Sequence, residues 1–452
     1  MQSSNHYLDN PLLDKNKQSK VLRRKILDLV EQYYKVTHNL DSFIPNKHSI
    51  PTSGKVFDFN EIQSLISSSL DFWLTSDKFN MLFENELRKY VNTNFALTTN
   101  SGSSANLLAV SALTSDELKE RALKPGDEIL TVAACFPTTV NPLIQNGLIP
   151  VFLDVSLPTY NVDTKNLENA LTSKTKGIVL AHTLGNPFDI STITQFAKKN
   201  NLWLIEDCCD GLGSIYNNNK IGSYGDISTF SFYPAHQITT GEGGAILTSS
   251  PLIRKLIESF RDWGRDCYCA PGKNNTCGKR FEWKLGELPL GYDHKYIYSH
   301  IGYNLKMTEM QSAIGLAQIQ KIETFTKIRR KNFFYLKNNL KSLEEFLILP
   351  EETKFSKTNW FGFPITVKEN SNFSRRDLVD YLSSKKIDSR PIFAGNITKQ
   401  PYFKNIKYRI NDNLEITDYI MNNSFWIGLF PKINNSMLDF IIDAFYDFFK
   451  KI

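Results

Sequence analysis

One stretch of the sequence, GDISTFSFYPAHQITTGEGG from Gly225 to Gly244, carries a histidine in a setting that suits proton transfer. Its first part, Ile227 to Tyr233, is β-branched and aromatic and predicts a buried strand. The GEGG turn leads into a second apolar strand, Ala245 to Thr248. His236 lies between the two strands, and an imidazole moves protons readily because its unperturbed pKa is near neutrality. The alternative is a structural histidine in an inactive protein.

Two further stretches have residue types that suit a charged ligand. In Ser101-Gly102-Ser103-Ser104, small residues stand where a helix is expected to begin, so free backbone N–H groups and the helix dipole can hold a phosphate. The hydroxyl of Ser231 would add a contact to the same phosphate. Asp207 follows a predicted strand, Leu202 to Glu206, at the edge where sites form in α/β proteins. The alternative is an aspartate that only caps the following turn.

Cysteines are the third group of residues with possible chemistry. The six are Cys135, Cys208, Cys209, Cys267, Cys269 and Cys277. The last four have the spacing C-x57-C-x-C-x7-C. In a reducing compartment, clustered cysteines favour metal or redox chemistry over disulfides. Four thiolates suit an iron–sulfur cluster or a structural zinc ion, and unligated cysteines are the third possibility. The first two cysteines are predicted to be buried small residues.

The segment around His236 resembles the sugar aminotransferases of the DegT/DnrJ/EryC1/StrS type, which are fold-type I enzymes that use pyridoxal phosphate (PLP). The resemblance rests on Ser231-Phe232 and on Thr240-Gly241-Glu242-Gly243-Gly244, which match the surroundings of the cofactor-binding lysine. Here the lysine position holds histidine, and no lysine occurs between Lys220 and Lys255. Without an amine there is no internal Schiff base to hold PLP. The amine form, pyridoxamine phosphate (PMP), can still bind non-covalently and supply the amine.

Within this family, the exchange of lysine for histidine marks the sugar 3-dehydrases. The resemblance therefore implies that the C3 hydroxyl is removed from a nucleotide-linked 4-keto-6-deoxy-D-glucose. This reaction belongs to the biosynthesis of 3,6-dideoxyhexoses for O-antigen and lipopolysaccharide. The resemblance also implies PMP (or PLP) as cofactor and His236 as the group that takes the proton at the cofactor's C4′ atom.

The cysteine spacing resembles the 2Fe-2S site of the 3-dehydrases that act on the CDP-linked sugar. It implies that the ligands of a 2Fe-2S cluster are Cys209, Cys267, Cys269 and Cys277. Because Cys209 is two residues past Asp207, such a cluster would lie close to the cofactor ring. The implied partner is an NAD(P)H-dependent flavin/iron–sulfur reductase that delivers electrons one at a time. CDP is the nucleotide favoured by this spacing, and TDP stays open because TDP-sugar relatives share much of the pattern.

The same resemblance assigns contacts around the cofactor. Asp207 would pair with the protonated pyridine nitrogen and keep the ring an electron sink, and Asp210 would lie near the ring hydroxyl. Phe136 would stack on the ring, with plain core packing as the alternative. Asn304, in the segment Gly302-Tyr303-Asn304, would reach the cofactor phosphate of the other subunit. That contact implies an obligate homodimer with shared active sites.

A later segment, Arg390 to Asn396 followed by Gln400-Pro401, resembles one that these dehydrases share near the nucleotide-sugar site. The guanidinium of Arg390 could clamp a diphosphate, and Asn396 and Gln400 are further candidates for substrate contacts. The alternative is an ordinary surface loop.

Three other functions compete with this interpretation. A cluster-free 3-dehydratase that takes its amine from glutamate shares the histidine, although the four cysteines argue against it. A transaminase is disfavoured because His236 replaces the lysine. A non-catalytic protein built on the same fold is disfavoured because Asp207, Ser231 and the GEGG turn are all intact.

The elements that must position these residues alternate between strands and helices from Phe95 onward, which predicts an α/β fold with a mostly parallel sheet covered on both faces. We expect an N-terminal arm at residues 1–55 and a large cofactor-binding domain at 56–328. Its cysteine-rich loop spans about 264–300. A smaller α+β domain is expected at 329–452. A long helix, Met307 to Ile328, is predicted to join the two domains.

Composition excludes several classes of protein. Among 452 residues, 41% are hydrophobic and 22% are charged, which is typical of a soluble protein with a sizeable core. The net charge of +6 is small and the lysines are scattered, so nucleic-acid binding is not expected. No signal peptide is visible and no apolar run is long enough to cross a membrane. These features predict a cytoplasmic protein.

Overall fold

The computed structural model of the protein describes residues 17–38, 43–369 and 371–451. Over these residues the α-helices are α1 (Lys17–Thr37), α2 (Phe59–Asp71), α3 (Lys78–Val91), α4 (Gly102–Ala112), α5 (Pro137–Gln145), α6 (Ile190–Lys199), α7 (Pro251–Arg261), α8 (Glu309–Ile319), α9 (Ile322–Leu340), α10 (Arg375–Ser384), α11 (Glu415–Asn423) and α12 (Asn435–Phe449). Residues 1–16 and 39–42 of the predicted N-terminal arm lie outside the described residues.

The β-strands of the same residues form sheets of eight, four, three and two strands. They are β1 (Phe95–Thr99), β2 (Glu128–Val132), β3 (Ile149–Leu153), β4 (Val155–Ser156), β5 (Asn161–Val162), β6 (Thr175–Ala181), β7 (Trp203–Asp207), β8 (Ile215–Tyr216), β9 (Asn219–Lys220), β10 (Ile227–Ser231), β11 (Gly244–Thr248), β12 (Leu347–Ile348), β13 (Ser356–Lys357), β14 (Gly362–Val367), β15 (Ser389–Pro391), β16 (Arg409–Ile410) and β17 (Ser424–Gly428).

The large sheet has eight strands in the order β1-β11-β10-β7-β6-β2-β3-β16. Strand β11 runs antiparallel to both of its neighbours, whereas all the other pairs are parallel. This arrangement confirms the predicted α/β class with a mostly parallel sheet. Successive residues of a strand point to opposite faces, so Ile129 packs in one hydrophobic cluster and Leu130 in another. Both faces are therefore covered, as a parallel sheet requires.

The functional residues are gathered because several elements end or begin at one edge of this sheet. Parallel strands present their carboxyl ends together, which places the end of β7 at Asp207 near the end of β10 at Ser231. Gly244, the first residue of β11, pairs with Ser231 on one side and with Thr99 on the other. The turn after Thr99 leads directly into α4. The predicted phosphate loop thus lies at the same edge as Asp207.

Four strands from the C-terminal part of the chain form a small antiparallel sheet in the order β12-β14-β17-β15, next to α10 and α12. Several contacts tie this small unit to the rest of the chain, and two of them are backbone pairings with different regions. Strand β16, at Arg409–Ile410, pairs with β3 of the large sheet. Ile50 forms a parallel bridge with Ile387. The small unit therefore shares strands and bridges with both of the other predicted regions.

The single helix predicted from Met307 to Ile328 is wrong, because the structure has two helices, α8 and α9, in this region. Helix α8 begins with a capping box made by Thr308 and Gln311, two residues into the expected helix. The break falls at Gln320 and Lys321. The ammonium group of Lys321 forms an ion pair with Glu61 of α2 at 2.5 Å, which fixes the turn against that helix. Of the helices in the described ranges, none has the length and apolar character needed to cross a membrane.

The cysteine-rich segment is the long loop that the sequence predicts. Between α7 and α8 its regular structure consists of a short 3-10 turn, His294–Tyr296, and isolated bridges such as that between Arg265 and Tyr298. The ion pair between Arg280 and Asp293, at 2.6 Å, joins two distant parts of the loop. The loop is thus held by side chains rather than by a sheet.

Candidate active site

The predicted phosphate loop forms a cradle at the N-terminus of α4. Ser101 is the N-cap residue, and its hydroxyl accepts a hydrogen bond from the backbone N–H of Ser104 at 3.0 Å. Gly102 lies so near Ser231 that a Cβ atom on the glycine would be 2.5 Å from the serine Cβ atom. Gly244 packs against the backbone of Ser101 in the same manner. Three segments thus approach one another so closely that neither glycine leaves room for a side chain.

This cradle opens into a cavity of about 520 Å³. The cavity brings together most of the residues that the sequence predicts as a site, namely Gly102, Ser103, Phe136, Asp207, Cys209, Asp210, Ser231, His236 and Arg390. Other lining residues were not predicted, and among them are three aromatic side chains, Phe361, Phe393 and Trp426. A site of this size, with an anion cradle and aromatic walls, has the character of a small-molecule site.

Asp207 is 5% exposed and lies at the base of the cavity. Its Oδ2 atom accepts hydrogen bonds from Asn106 Nδ2 at 2.9 Å and from Thr139 Oγ1 at 2.7 Å. Its Oδ1 atom accepts the backbone N–H of Cys209 at 3.1 Å. Because Thr229 in turn donates to Asn106 Oδ1 at 2.6 Å, the carboxylate is held by a chain of fixed donors. Such a network fixes the position of the carboxylate.

His236 lies on the turn between β10 and β11, as predicted. Its Nδ1 atom is buried, has no hydrogen-bond partner and lies 3.5 Å from Asp210 Oδ1. Burial lowers the pKa of His236 to about 4, although the charge of Asp207 opposes the shift. Burial also raises the pKa of Asp210 to about 8, and the Asp207 charge adds to that rise. The imidazole is therefore held neutral before any ligand binds.

Arg329, on α9, supports this turn from behind. Its guanidinium is 2% exposed and donates to the backbone oxygens of Trp360 and Phe361 at 3.2 and 3.1 Å. A third N–H group donates to the backbone oxygen of His236 at 3.5 Å. Burial lowers the pKa of Arg329 to about 10, against the charge of Asp210. No sequence pattern singles out Arg329, because it is one of several charged residues on a long amphipathic helix.

Phe136 precedes α5 and lines the cavity, with 53% of its side chain exposed. Core packing, the alternative considered for this residue, is therefore wrong. Its ring meets that of Phe393 edge-on, with centroids 6.3 Å apart. The exposed face of Phe136 is available to a flat ligand ring.

Several predicted residues lie outside the cavity. Ser104 is occupied by its hydrogen bonds to Ser101. Asn396 is 2% exposed, and its amide donates to Asp418 at 2.8 Å while its oxygen caps a short 3-10 turn. Gln400 donates to the backbone oxygen of Ala394 at 2.9 Å. Both side chains are thus engaged within their own loop and do not line the cavity, so their contact with a substrate stays a prediction.

Asn304 also lies outside the cavity of its own chain. It is exposed, forms a bridge with Asp262, and its oxygen accepts from Lys306 Nζ at 2.9 Å. The predicted contact to a cofactor phosphate would therefore have to be made in a second subunit.

The four cysteines predicted as cluster ligands occupy two different pockets. Cys209 lines the cavity, whereas Cys267, Cys269 and Cys277 line a small pocket that also contains Arg280 and His294. Burial raises the pKa of Cys209 well above its ordinary value. By contrast, hydrogen bonds lower the pKa of the thiols of Cys269 and Cys277. Thr276 donates to Cys269, and the backbone N–H of Lys279 and the ring of His294 form hydrogen bonds with Cys277.

This arrangement does not support one ligand group of four cysteines. In the described part of the chain, the group with three or more possible ligand atoms within 4.8 Å of one another is His182, Glu206 and Cys208. Glu206 there already accepts three backbone N–H groups, from Gly222, Tyr224 and Gly225. The remaining prediction for cysteines is confirmed, since Cys135 and Cys208 are 2% and 0% exposed.

With the fold and this geometry established, comparisons with known proteins identify the class. The model of the DegT/DnrJ/EryC1/StrS aminotransferase family matches residues 57–446. The chain belongs to this family, as the resemblance of the motifs implied. This match confirms two predictions, the fold-type I architecture and membership in a family of PLP-dependent enzymes.

Particular relatives narrow the class further. The chain is 56% identical to "Lipopolysaccharide biosynthesis protein RfbH" of Salmonella typhimurium, over 95% of this chain and 98% of that one. It is 45% identical to "dTDP-4-dehydro-2,6-dideoxy-D-glucose 3-dehydratase" of Saccharopolyspora spinosa, over 94% of this chain and 92% of that one. Relatives of this chain therefore act as nucleotide-sugar 3-dehydratases and in lipopolysaccharide biosynthesis.

Among solved structures, the chain is similar to GDP-4-keto-6-deoxymannose-3-dehydratase with a trapped PLP-glutamate geminal diamine. The TM-score is 0.79 at 29% identity, and the match covers 87% of this chain and 99% of that one. This likeness supports PLP or PMP as cofactor and favours the glutamate-dependent alternative. The comparisons give no support for the predicted iron–sulfur cluster or for a reductase partner.

Proposed function

We propose that this protein is a PMP-dependent dehydratase that removes the C3 hydroxyl from a nucleotide-linked 4-keto-6-deoxyhexose, with glutamate as the source of the amine. The observation that carries the proposal is the position of His236. It stands where relatives of the transaminase type place a lysine, and it lines the same cavity as the phosphate cradle and Asp207. A histidine there can move a proton but cannot hold the cofactor covalently.

The residues present fit PMP. A phosphate would be held at the N-terminus of α4 by Gly102, Ser103 and the hydroxyl of Ser231, which line one cavity because the two glycines let their segments approach closely. Asp207 would face the pyridine nitrogen, and Phe136 would stack on the ring. When bound, PMP supplies the amine that condenses with a ketone and a ring that accepts an electron pair.

The chain's own residues then carry the proton transfers. Asp207, fixed by Asn106 and Thr139, would keep the pyridine nitrogen protonated by its negative charge. Nε2 of His236 would take the proton from the C4′ atom and would give a proton to the leaving C3 oxygen, which would depart as water. Because His236 is neutral in the cavity, it can act first as a base.

The substrate would enter beside Arg390, which lines the cavity together with Phe361, Phe393 and Trp426. Arg390 would hold the diphosphate, and the aromatic walls would contact the 6-deoxy sugar or the base. CDP is the nucleotide we propose. Asn304 would complete the phosphate site of a second copy in a homodimer, because it is exposed and lies outside its own cavity.

Removal of the hydroxyl consumes two electrons overall, and their source separates two candidate functions. In the glutamate-dependent reaction, glutamate is oxidised to 2-oxoglutarate and its amine restores PMP. In the second candidate, a reductase supplies the electrons through a metal cluster. A specific observation favours keeping this second candidate: three cysteines share one pocket and two of them have lowered pKa values.

The test is a turnover experiment with PMP-loaded protein, CDP-4-keto-6-deoxyglucose and glutamate, analysed by NMR and mass spectrometry. We expect a 3-deoxy sugar and one equivalent of 2-oxoglutarate per sugar. A 3-deoxy sugar formed only when a reductase and NADH are added, by protein that contains two iron atoms per chain, would favour the second candidate. An aminated sugar with its C3 oxygen retained would contradict both.

A further inference from the structure

The two ring nitrogens of His236 lie in different surroundings. Nδ1 is buried without a hydrogen-bond partner, 3.5 Å from Asp210 Oδ1. Nε2 is not among the buried unpaired atoms, and because His236 lines the cavity we infer that Nε2 is the ring nitrogen that reaches it. A buried polar atom without a partner costs free energy. Because the unpaired Nδ1 lies near a carboxyl oxygen of Asp210, we expect the two atoms to form a shorter hydrogen bond when a ligand is bound.

We propose that Asp210 is a positioning residue for His236. A carboxyl oxygen of Asp210, in the neutral or the charged form, accepts a hydrogen bond from Nδ1–H and thereby fixes the tautomer in which Nε2 is unprotonated and faces the cofactor. The proposal rests on the proposed function, and it gives Asp210 a role other than the contact with the cofactor ring hydroxyl that the resemblance implied. The 3.5 Å separation is in keeping with catalytic hydrogen bonds, which are often long before the ligand binds.

The backbone around Asp210 is built to hold this position. Gln237, the residue after His236, donates its side-chain amide to the backbone oxygen of Asp210. Gly185 approaches the same oxygen so closely that a Cβ atom on it would lie 2.7 Å away, at a φ of +87°. The backbone N–H of Gly211 donates to the backbone oxygen of Cys208 at 2.9 Å and closes the turn. The turn that carries the carboxylate and the turn that carries the imidazole are therefore joined directly.

The charged groups around the pair are Asp207, Asp210 and Arg329, and each affects the imidazole or the carboxylate. Burial and Asp207 both favour a neutral Asp210, whereas Arg329 favours its carboxylate. Arg329 also holds the backbone oxygen of His236. The arrangement matches the general pattern in which a third group orients a base that is itself close to the reacting atom.

A measurement that does not depend on turnover tests the assignment. Protein with 15N-labelled histidine is examined by NMR at pH 7, without and with PMP, and the ring signals of His236 are identified by their loss in His236→Asn. We expect a protonated Nδ1 and an unprotonated Nε2. In Asp210→Ala the proton should move to Nε2, whereas Asp210→Asn, which keeps an acceptor oxygen and the side-chain volume, should retain the wild-type tautomer.

Asp380→Asn, a change on the exposed face of α10, serves as the control and should leave the His236 signals unchanged. In turnover, Asp210→Ala should lower kcat about 10²-fold or more at unchanged PMP affinity. An Nε2-protonated ring in the wild type, or unchanged His236 signals together with lost PMP affinity in Asp210→Ala, would overturn the assignment. The NMR measurement needs no substrate. It therefore tests the role of Asp210 even if the proposed dehydration is not observed.

Discussion

Gly102 and Ser231 meet so closely that a single added methyl group would collide with the serine, since a Cβ atom at position 102 would lie 2.5 Å from the serine Cβ atom. The first residue of a helix and the last residue of a strand 129 positions later in the sequence thus form one wall of the phosphate cradle. The contact explains why glycine stands at the start of α4. It also makes the cradle sensitive to a very small change.

Gly102→Ala is expected to weaken PMP binding by at least tenfold, because the new methyl group must displace Ser231 from the phosphate position. Absorbance titration of the cofactor with the apo protein measures the change. Ser173→Ala, in an exposed loop, is the control and should bind as the wild type does. Equal affinity in Gly102→Ala would show that the cofactor phosphate lies elsewhere.

His236→Lys is expected to hold PLP covalently, since an amine would then stand at the position where transaminases of this family carry one. Borohydride treatment followed by peptide mass spectrometry detects the bond to residue 236. The same variant should lose dehydration, because a lysine bound to the cofactor is no longer free to take the C4′ proton. His236→Asn is the matched control and should neither bind PLP covalently nor dehydrate. Full dehydration by the lysine variant would exclude His236 as the base.

Asp207→Asn is expected to lower turnover by about 10²-fold or more, because the neutral amide no longer keeps the pyridine nitrogen protonated. The fold should be preserved, since an amide oxygen can still accept the hydrogen bond from Asn106 or Thr139. Steady-state kinetics and circular dichroism measure the two properties. Wild-type turnover in this variant would mean that Asp207 has only a capping role.

Glu206→Gln is expected to destabilise the protein by about 3 kcal/mol at pH 7, because the buried carboxylate accepts from His182 and from three backbone N–H groups. Burial alone would raise the pKa of Glu206, but the His182 hydrogen bond and charge and the amides outweigh it and hold the pKa below its ordinary value. A lowered carboxylate pKa stabilises the fold above the unfolded pKa and loses its effect as the pH falls through the folded pKa.

The difference between wild type and Glu206→Gln should therefore shrink when urea unfolding is repeated below about pH 4. Glu168→Gln is the control, because its ion pair with Lys199 is exposed and should contribute little at any pH. A difference that is independent of pH would contradict the assigned charge of Glu206.

The proposed catalytic histidine and the strand-end aspartate could be predicted from the sequence because each depends on local pattern. His236 stands between two strand signals, and Asp207 ends a strand of a parallel sheet, where side chains converge. Asn106 and Thr139 could not be predicted, since they reach Asp207 from helices that begin after other strands. Their residue types are ordinary for helix positions, and only the packing of the sheet brings them together.

Other parts of the predicted site depend on packing that the sequence does not show. The loop context of Asn396 suggests a substrate contact, but the loop uses this side chain to cap a turn. The spacing of the cysteines records how far apart they are in sequence, whereas the fold places Cys209 in the cavity and the other three in a separate loop pocket. The contact of Asn304 with the cofactor phosphate of a second subunit stays a prediction, because this exposed residue lies outside the cavity of its own chain.

In the proposed reaction, this chain removes the C3 hydroxyl of its sugar substrate with His236 as the base. The most direct measurement is a single turnover of PMP-loaded protein with CDP-4-keto-6-deoxyglucose labelled with 18O at C3, in the absence of glutamate and of any reductase. We predict that labelled water is released by the wild type and not by His236→Asn. Retention of the label by the wild type, with formation of an aminated sugar, would contradict the proposed dehydration.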